Sequence, residues 1–242
     1  INYDASLSWY ASEDLFMEIG LFYKDIENFI VDVNGISMSL ADLPVRLPVN
    51  QVTEFVIPQD LVMDEINITL NGDKAKVYGV ELSYNQYFEN GFFIQSNATF
   101  LDSDARLDGT VRQGSVPLPD QADQTFNLTL GWENEVFSAR LITNYRSDIL
   151  EQIGSCPVSA DLADAKACKV WGDQYQAGYT SVDMKLKYDV SENVQLYFDA
   201  LNLTSAEDLR YFEGNEYSGG NILYQKEVYG QTYQLGATIK FY

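Results

Sequence analysis

Histidine is absent from this chain, and with it go the commonest metal ligand and the commonest general base near neutral pH. Positive charge is scarce: 15 Lys and Arg stand against 36 Asp and Glu, a formal net of −21. That balance repels phosphate and excludes nucleic acid as a partner. No apolar run approaches the roughly 18 residues of a spanning helix, so a helical membrane protein is excluded. The amino end, Ile1-Asn2-Tyr3-Asp4, has neither a basic region nor an apolar core and is no signal peptide. Export would depend on residues outside this sequence, or would not occur. No nucleophile–base pair, phosphate loop or metal-ligand cluster can be assembled, so neither an enzyme, a metal nor a cofactor is expected.

What is present is period-two alternation. The 14% aromatic content, with 17 Tyr, and the mere 6 Pro fit poorly with an ordinary soluble domain. The last residues are the clearest: Tyr233, Leu235, Ala237, Ile239 and Phe241 fall on one face of a strand and Gln234, Gly236, Thr238 and Lys240 on the other. A segment of about ten residues with one wholly apolar face, ending in aromatics, suits a strand that crosses an outer membrane. The same pattern recurs near residues 2–11, 15–28, 76–88, 91–102, 122–133, 135–147, 179–190, 193–203 and 229–242. The fold class expected is all-β, an antiparallel transmembrane β-barrel to which the chain supplies nine strands.

The connections alternate in length. Ser12-Glu13-Asp14, Glu89-Asn90, Glu133-Asn134 and Ser191-Glu192 are hairpin-sized polar turns. Residues 29–75, 103–121, 148–178 and 204–228 read as long loops. Short periplasmic turns and long external loops are the wiring of an outer-membrane barrel. Aromatics cluster beside the short turns: Trp9, Phe88 with Phe92, Trp132 with Phe137, Tyr188 with Phe198, and Phe241. Such side chains prefer the lipid–water boundary, so a membrane girdle is expected there. With these turns in the periplasm the first and ninth strands both descend. Nine strands are an odd number and leave two unpaired edges, so the chain is expected to be the carboxyl-terminal part of one larger barrel domain.

Four segments together resemble a known family. Gly20-Leu-Phe-Tyr-Lys-Asp-Ile-Glu-Asn-Phe-Ile30 is similar to a strand running into an external loop, and Val77-Tyr-Gly-Val-Glu-Leu82 to the start of a later strand. Pro117-Leu-Pro-Asp-Gln-Ala-Asp-Gln-Thr-Phe-Asn127 is similar to a proline-bearing loop entering a strand, and the terminal strand is the fourth piece. In this order the chain resembles the TonB-dependent outer-membrane receptors. The resemblance implies a 22-stranded barrel around an amino-terminal plug, with this chain supplying strands 14 to 22. It also implies uptake of a scarce solute (an iron chelate, cobalamin or an oligosaccharide) driven by TonB through an amino-terminal segment that these residues lack. One departure is that the apolar face of the last strand falls on Phe241, not on the final Tyr242. A passive porin, and a soluble extracellular β-rich adhesin or binding module, are the alternatives. The expected surroundings are outer-membrane lipid and lipopolysaccharide at the cell outer membrane.

Candidate sites lie in the loops. Tyr211, Phe212 and Tyr217, followed by Tyr224, mix with Glu213, Gly214, Asn215 and Glu216 as a sugar- or chelate-binding loop would. A surface loop of no fixed role is the plainer reading. Asp102 and Asp104, with Asp108, are further candidates for solute contact, but lack the ligand spacing of a calcium loop. Cys156 and Cys168 share the third loop; a disulfide there would contribute about 3 kcal/mol and suits an oxidising location, while two free thiols remain the alternative. Asn97 and Asn127 are expected to line the lumen, Asn202 to end a strand, and Glu81, Arg140, Arg146, Asp183, Lys185 and Lys187 to point inward.

Overall fold

The computed structural model describes residues 1–39, 61–107, 112, 114–154, 172–214 and 219–241. No helix occurs among the described residues. Strands β1 (Asn2–Ser12), β2 (Leu15–Glu27), β5 (Lys74–Tyr87), β6 (Phe92–Arg106), β8 (Gln124–Glu133), β9 (Phe137–Arg146), β12 (Tyr179–Ser191), β13 (Val194–Leu201) and β16 (Thr232–Ile239) pair in that order. All nine alternating stretches of the sequence therefore become neighbours in one antiparallel sheet, which the two-residue β7 (Ser115–Val116) extends beside β6.

The register explains the alternation. Across one row lie Leu7, Ile19 and Leu82; across another, Ile94, Leu130, Leu141 and Met184. On β12, β13 and β16, Leu186, Phe198 and Leu235 share the same outward face. Their rings and branches are left uncovered: Leu7 is 69% exposed and Leu235 79%. Opposite this face lie rows such as Ser83, Asn97, Asn127, Asn144 and Ser181, with Asn127 Nδ2 donating to Asn97 Oδ1 at 2.8 Å. Glu81, Arg140, Arg146, Asp183, Lys185 and Lys187 fall on this inner side, as their spacing requires.

The inner wall uses a pairing the sequence pattern did not expose. Gly79 lies directly across from Phe22, Gly131 from Phe93 and Gly236 from Tyr197. At each of the three, an added Cβ would overlap the facing ring. Rings lying flat over cross-strand glycines let the sheet curve without leaving a gap.

Each hairpin-sized turn is held by one polar side chain. Ser12 Oγ, Asn90 Oδ1, Asn134 Oδ1 and Ser191 Oγ accept from the backbone N–H two residues later, at 3.2, 3.2, 3.0 and 3.4 Å. Short Asn and Ser side chains satisfy turn amides this way. At Gly91, φ is +85° and a Cβ would strike the Glu133 carbonyl, so only glycine fits. The aromatic residues beside these turns face outward: Phe92, Trp132 and Phe137 form a chain with centroids 6.5 and 6.0 Å apart. Trp132 Nε1–H donates to the Asn90 carbonyl at 2.9 Å.

The long connections correct the loop reading. β3 (Ile30–Ser39) and β4 (Val62–Asn71) lie between β2 and β5; β10 (Ile149–Gly154) and β11 (Gln174–Gln176) between β9 and β12; β14 (Asp208–Phe212) and β15 (Ile222–Glu227) between β13 and β16. They form a second, six-stranded sheet in the order β15-β14-β11-β10-β3-β4. Asn67, within the stretch 29–75 that reads as a loop, sits in β4. β10 runs parallel to β3, with Ile153 opposite Val33, and among the described residues every other pairing is antiparallel. In β10, β11, β14 and β15 period-two signals of three to six residues are too short to stand out, and the β10–β3 and β11–β14 pairings join different connections. The buried apolar core is here: Phe29, Val31, Val33, Leu150 and Ile153 pack with Ala105 and Val116.

Candidate functional site

The second sheet presents a polar face built across three strands. On β11, Gln174 and Gln176 alternate with Tyr175, so the amides and the ring take opposite faces. Arg210 of β14 donates from Nε to both Glu151 oxygens, at 3.0 and 3.1 Å, and Gln174 Nε2 donates to the same carboxylate at 3.0 Å. Gln176 Nε2 donates to Asp208 Oδ1 at 2.9 Å, and Arg210 Nη1 lies 3.6 Å from Asp208 Oδ2. The Glu151 carboxylate holds the Arg210 guanidinium above its ordinary pKa. Phe212, whose strand partner is Gln174, meets Tyr224 with centroids 5.3 Å apart.

On the reverse face Tyr175 and Tyr211 stack at 5.6 Å with rings 12° from parallel. The Tyr211 hydroxyl donates to Asp148. Burial pushes Tyr175 up to about 12, with the Glu213 and Asp173 charges adding to it. Burial first, then the bond to Asp148, raises Tyr211 as well. Both phenols stay protonated through neutral and mildly alkaline pH, and the Tyr211 hydroxyl remains a donor to Asp148. Beside them a cavity of about 380 Å³ is lined by Pro117, Asp123, Tyr145, Asp148, Leu150 and Tyr175 among others.

Beneath the sheet, Arg112 and Asp173 form a two-pronged ion pair, with Nη2 2.8 Å from Oδ2. Arg112 is 9% and Asp173 2% exposed. Gly154 N–H also donates to Asp173 Oδ1 at 2.9 Å. The pair joins the second and third long connections, and hydrogen bonds to both carboxylate oxygens let a charge remain buried.

The sequence candidates divide. Tyr211, Phe212 and Tyr224 are brought together on the β14–β15 hairpin, with Phe212 and Tyr224 on one face and Tyr211 engaged by Tyr175 and Asp148. Asp102 and Asp104 are placed elsewhere: they belong to β6 and not to a loop, because β6 continues to Arg106 along Lys74–Tyr78. Asp102 accepts from the Tyr78 hydroxyl at 2.6 Å, and Asp104 from Arg106 Nε at 3.3 Å. No cluster of metal-ligating side chains occurs among the described residues. Tyr217, Asp108, Cys156, Cys168 and Tyr242 lie outside the described residues.

Of the boundary aromatics, Trp9 is 57%, Tyr188 48% and Phe241 89% exposed on the outward face, and Trp132 and Phe137 pack on each other there. Asn202 ends β13 with φ of +55°. Its N–H donates to Asp183, its side-chain amide to the Ala206 and Gly230 carbonyls, and its oxygen accepts from Ala206 N–H at 2.8 Å. Sequence reasoning missed Glu151, Asp173, Tyr175 and Arg210; the alternation Gln174-Tyr175-Gln176 was the one available signal.

Solved structures share this architecture. The ferric-catecholate import receptor Fiu from Escherichia coli K12 superposes with a TM-score of 0.58 at 18% identity, over 99% of this chain and 27% of that one. The ferric yersiniabactin uptake receptor FyuA from Yersinia pestis gives 0.59 at 15%, over 100% and 30%. The copper transporter OprC gives 0.59 at 14%, over 99% and 30%. This chain thus spans about a third or less of each neighbour's length, and at these identities the likeness establishes the fold. No curated protein sequence matches the chain. The model of the TonB dependent receptor-like β-barrel matches residues 1–203, and the chain, with its outward apolar sheet and strand-bearing long connections, belongs to that family.

Proposed function

We propose that this chain is the carboxyl-terminal wall and outer layer of a receptor that takes up a scarce solute across the outer membrane, driven by TonB. The observation that carries the reading is the division of labour in one chain. A sheet of nine paired strands turns a continuous apolar face outward, and its long connections at one end build a polar and aromatic surface. The outward face suits lipid; the boundary aromatics Trp9, Trp132, Phe137, Tyr188 and Phe241 would sit at its periplasmic rim. Among the described residues β1 and β16 each pair on one side only, and an open edge in lipid leaves backbone groups unsatisfied. Further strands, and a plug carrying the TonB-contacting segment, complete the barrel in this reading.

The solute is met at the second sheet. Glu151, Arg210 and Gln176 offer donors and acceptors in positions fixed by their mutual bonds and by the buried Gln174 amide, and Phe212 with Tyr224 offers an aromatic surface. This combination suits a polar chelate or sugar that also presents a flat or apolar edge. Iron chelate, cobalamin and oligosaccharide are the classes proposed. The solved neighbours include receptors for ferric chelates and a copper transporter, which supports the first class. Family membership favours a gated receptor over the open porin and over the soluble binding module.

The test uses whole cells expressing the intact protein, offered a panel of labelled ferric chelates, cobalamin and oligosaccharides with TonB present or depleted. Accumulation of one solute only when TonB is present is expected. Phe212→Ala should weaken its binding by about 0.5–1.5 kcal/mol, the value of an aromatic contact. Uptake that follows concentration alone and ignores TonB would revive the porin.

A further inference from the structure

We infer that the inner wall carries an anion-binding site formed by Arg140, Lys185 and Lys187, which takes carboxylate or phosphate oxygens. Three of the chain's 15 basic residues gather on one part of a wall otherwise rich in amides and hydroxyls. Lys185 lies directly across from Arg140 on β9, and Lys187 across from Ser138. Together with Gln195, Tyr197, Asp199 and Thr238 they line a cavity of about 420 Å³.

The arrangement sets Lys185 and Arg140 against one another on neighbouring strands. Like charges directly opposed on neighbouring strands repel, and a chain with a net charge of −21 has abundant carboxylates with which to neutralise them. The local acids do this only in part. Glu133 Oε2 lies 3.4 Å from Arg140 Nη2, and Asp189 Oδ1 accepts from Gln195 Nε2 at 2.8 Å. Asp199 lies across from Lys185 on β13, yet among the described residues neither Lys185 nor Lys187 makes an ion pair. Arg140 is also fixed over the Phe93 ring at 5.3 Å, and that ring lies on Gly131. The guanidinium is thereby oriented before any ligand arrives.

The donors point to an oxyanion. A guanidinium, two ammonium groups and the hydroxyls of Ser138, Tyr197 and Thr238 give an excess of donors around a small space, with Asp199 the one carboxylate lining it. Such groups make charge-assisted hydrogen bonds to carboxylate or phosphate. The oxygens come either from a small anion in the lumen or from an acidic side chain of a protein segment seated there. The inference rests on this face lining a watery lumen and is independent of the solute recognised at the outer layer.

The test is calorimetric titration of the intact detergent-purified protein with inorganic phosphate and with citrate, compared with Lys185→Gln/Lys187→Gln. Arg140 is left in place because it also contacts Glu133 and Phe93, and Lys74→Gln at the other end of the sheet is the control. Binding by the native protein that is about tenfold weaker in the double variant, the loss of a charge-assisted bond, supports a free anion as ligand. No titratable anion, but a lower unfolding temperature in the double variant that converges with native at high salt, supports a protein carboxylate. Equal anion binding in both proteins with unchanged unfolding overturns the site. TonB-dependent uptake is measured alongside, so loss of the anion site and loss of the receptor reading are separable.

Discussion

Leu141 and Ile153 stand on successive strands, β9 and β10, and meet opposite fates: Leu141 is 41% exposed and Ile153 is fully buried. The two sheets differ in the same way throughout. The nine-strand sheet holds its register through backbone pairing and leaves one apolar face to its surroundings. The six-strand sheet packs Val31, Val33, Leu150 and Ile153 into a hydrophobic core together with Ala75 and Ala105 from the end of the larger sheet. A face exposed to lipid gains nothing from covering itself, because the hydrophobic effect operates only where water is displaced. The outer connections meet water and must build a core to stay ordered.

The largest expected effect tests the outer layer alone. Asp173→Ala removes the carboxylate that Arg112 and Gly154 N–H bind, at a cost of about 3–5 kcal/mol for breaking a buried pair. Hydrogen exchange should quicken in β10, β11 and β14 while β9 and β12 keep their protection; equal loosening of both sheets would show that they do not fold as separate units.

Leu141→Arg tests the converse. A charge on the outward face should cost about 2–4 kcal/mol of stability in a bilayer if that face meets the membrane interior. Refolding into lipid vesicles, followed by heat-modified gel mobility, reads it. An unchanged stability would mean that Leu141 faces water or protein and would dissolve the contrast between the sheets.

The smallest effect is on pH. Tyr175 is raised from 10.0 to about 12 and Tyr211 is raised as well. A phenol whose folded pKa lies above its unfolded value contributes stability that is complete below pH 10 and is lost as pH rises toward 12. The outer layer should therefore loosen over that range while the nine-strand sheet keeps its circular dichroism. Tyrosinate absorbance should show one fewer late-titrating phenol in Tyr175→Phe than in the native protein; the same titration curve for both would remove the stacked pair from the argument.

Much of the larger sheet was legible because one face of each strand carries a repeated signal over eight residues or more. The run Phe126, Leu128, Leu130, Trp132 needs no partner to declare its period, and β8 pairs on that basis with β6 and β9. The site was less legible. Tyr211 and Phe212 were visible as aromatics in a connection, but Glu151 and Arg210 come from different connections and nothing local links them. Asp104 was misplaced because its neighbours Leu101 to Arg106 resemble a polar loop, whereas pairing with Lys74–Gly79 carries β6 past that point.

Alone, the sequence determined the alternation, the tight turns and which face of each strand is apolar, since these depend on residues two to four apart and on side chains that bond their own backbone. Only the tertiary structure decided that the long connections pair into a second sheet, that β3 and β10 run parallel, and that Arg112 meets Asp173 under the polar face. Those contacts join residues far apart in the chain, and their energy exists only once the larger sheet has brought the connections to one end.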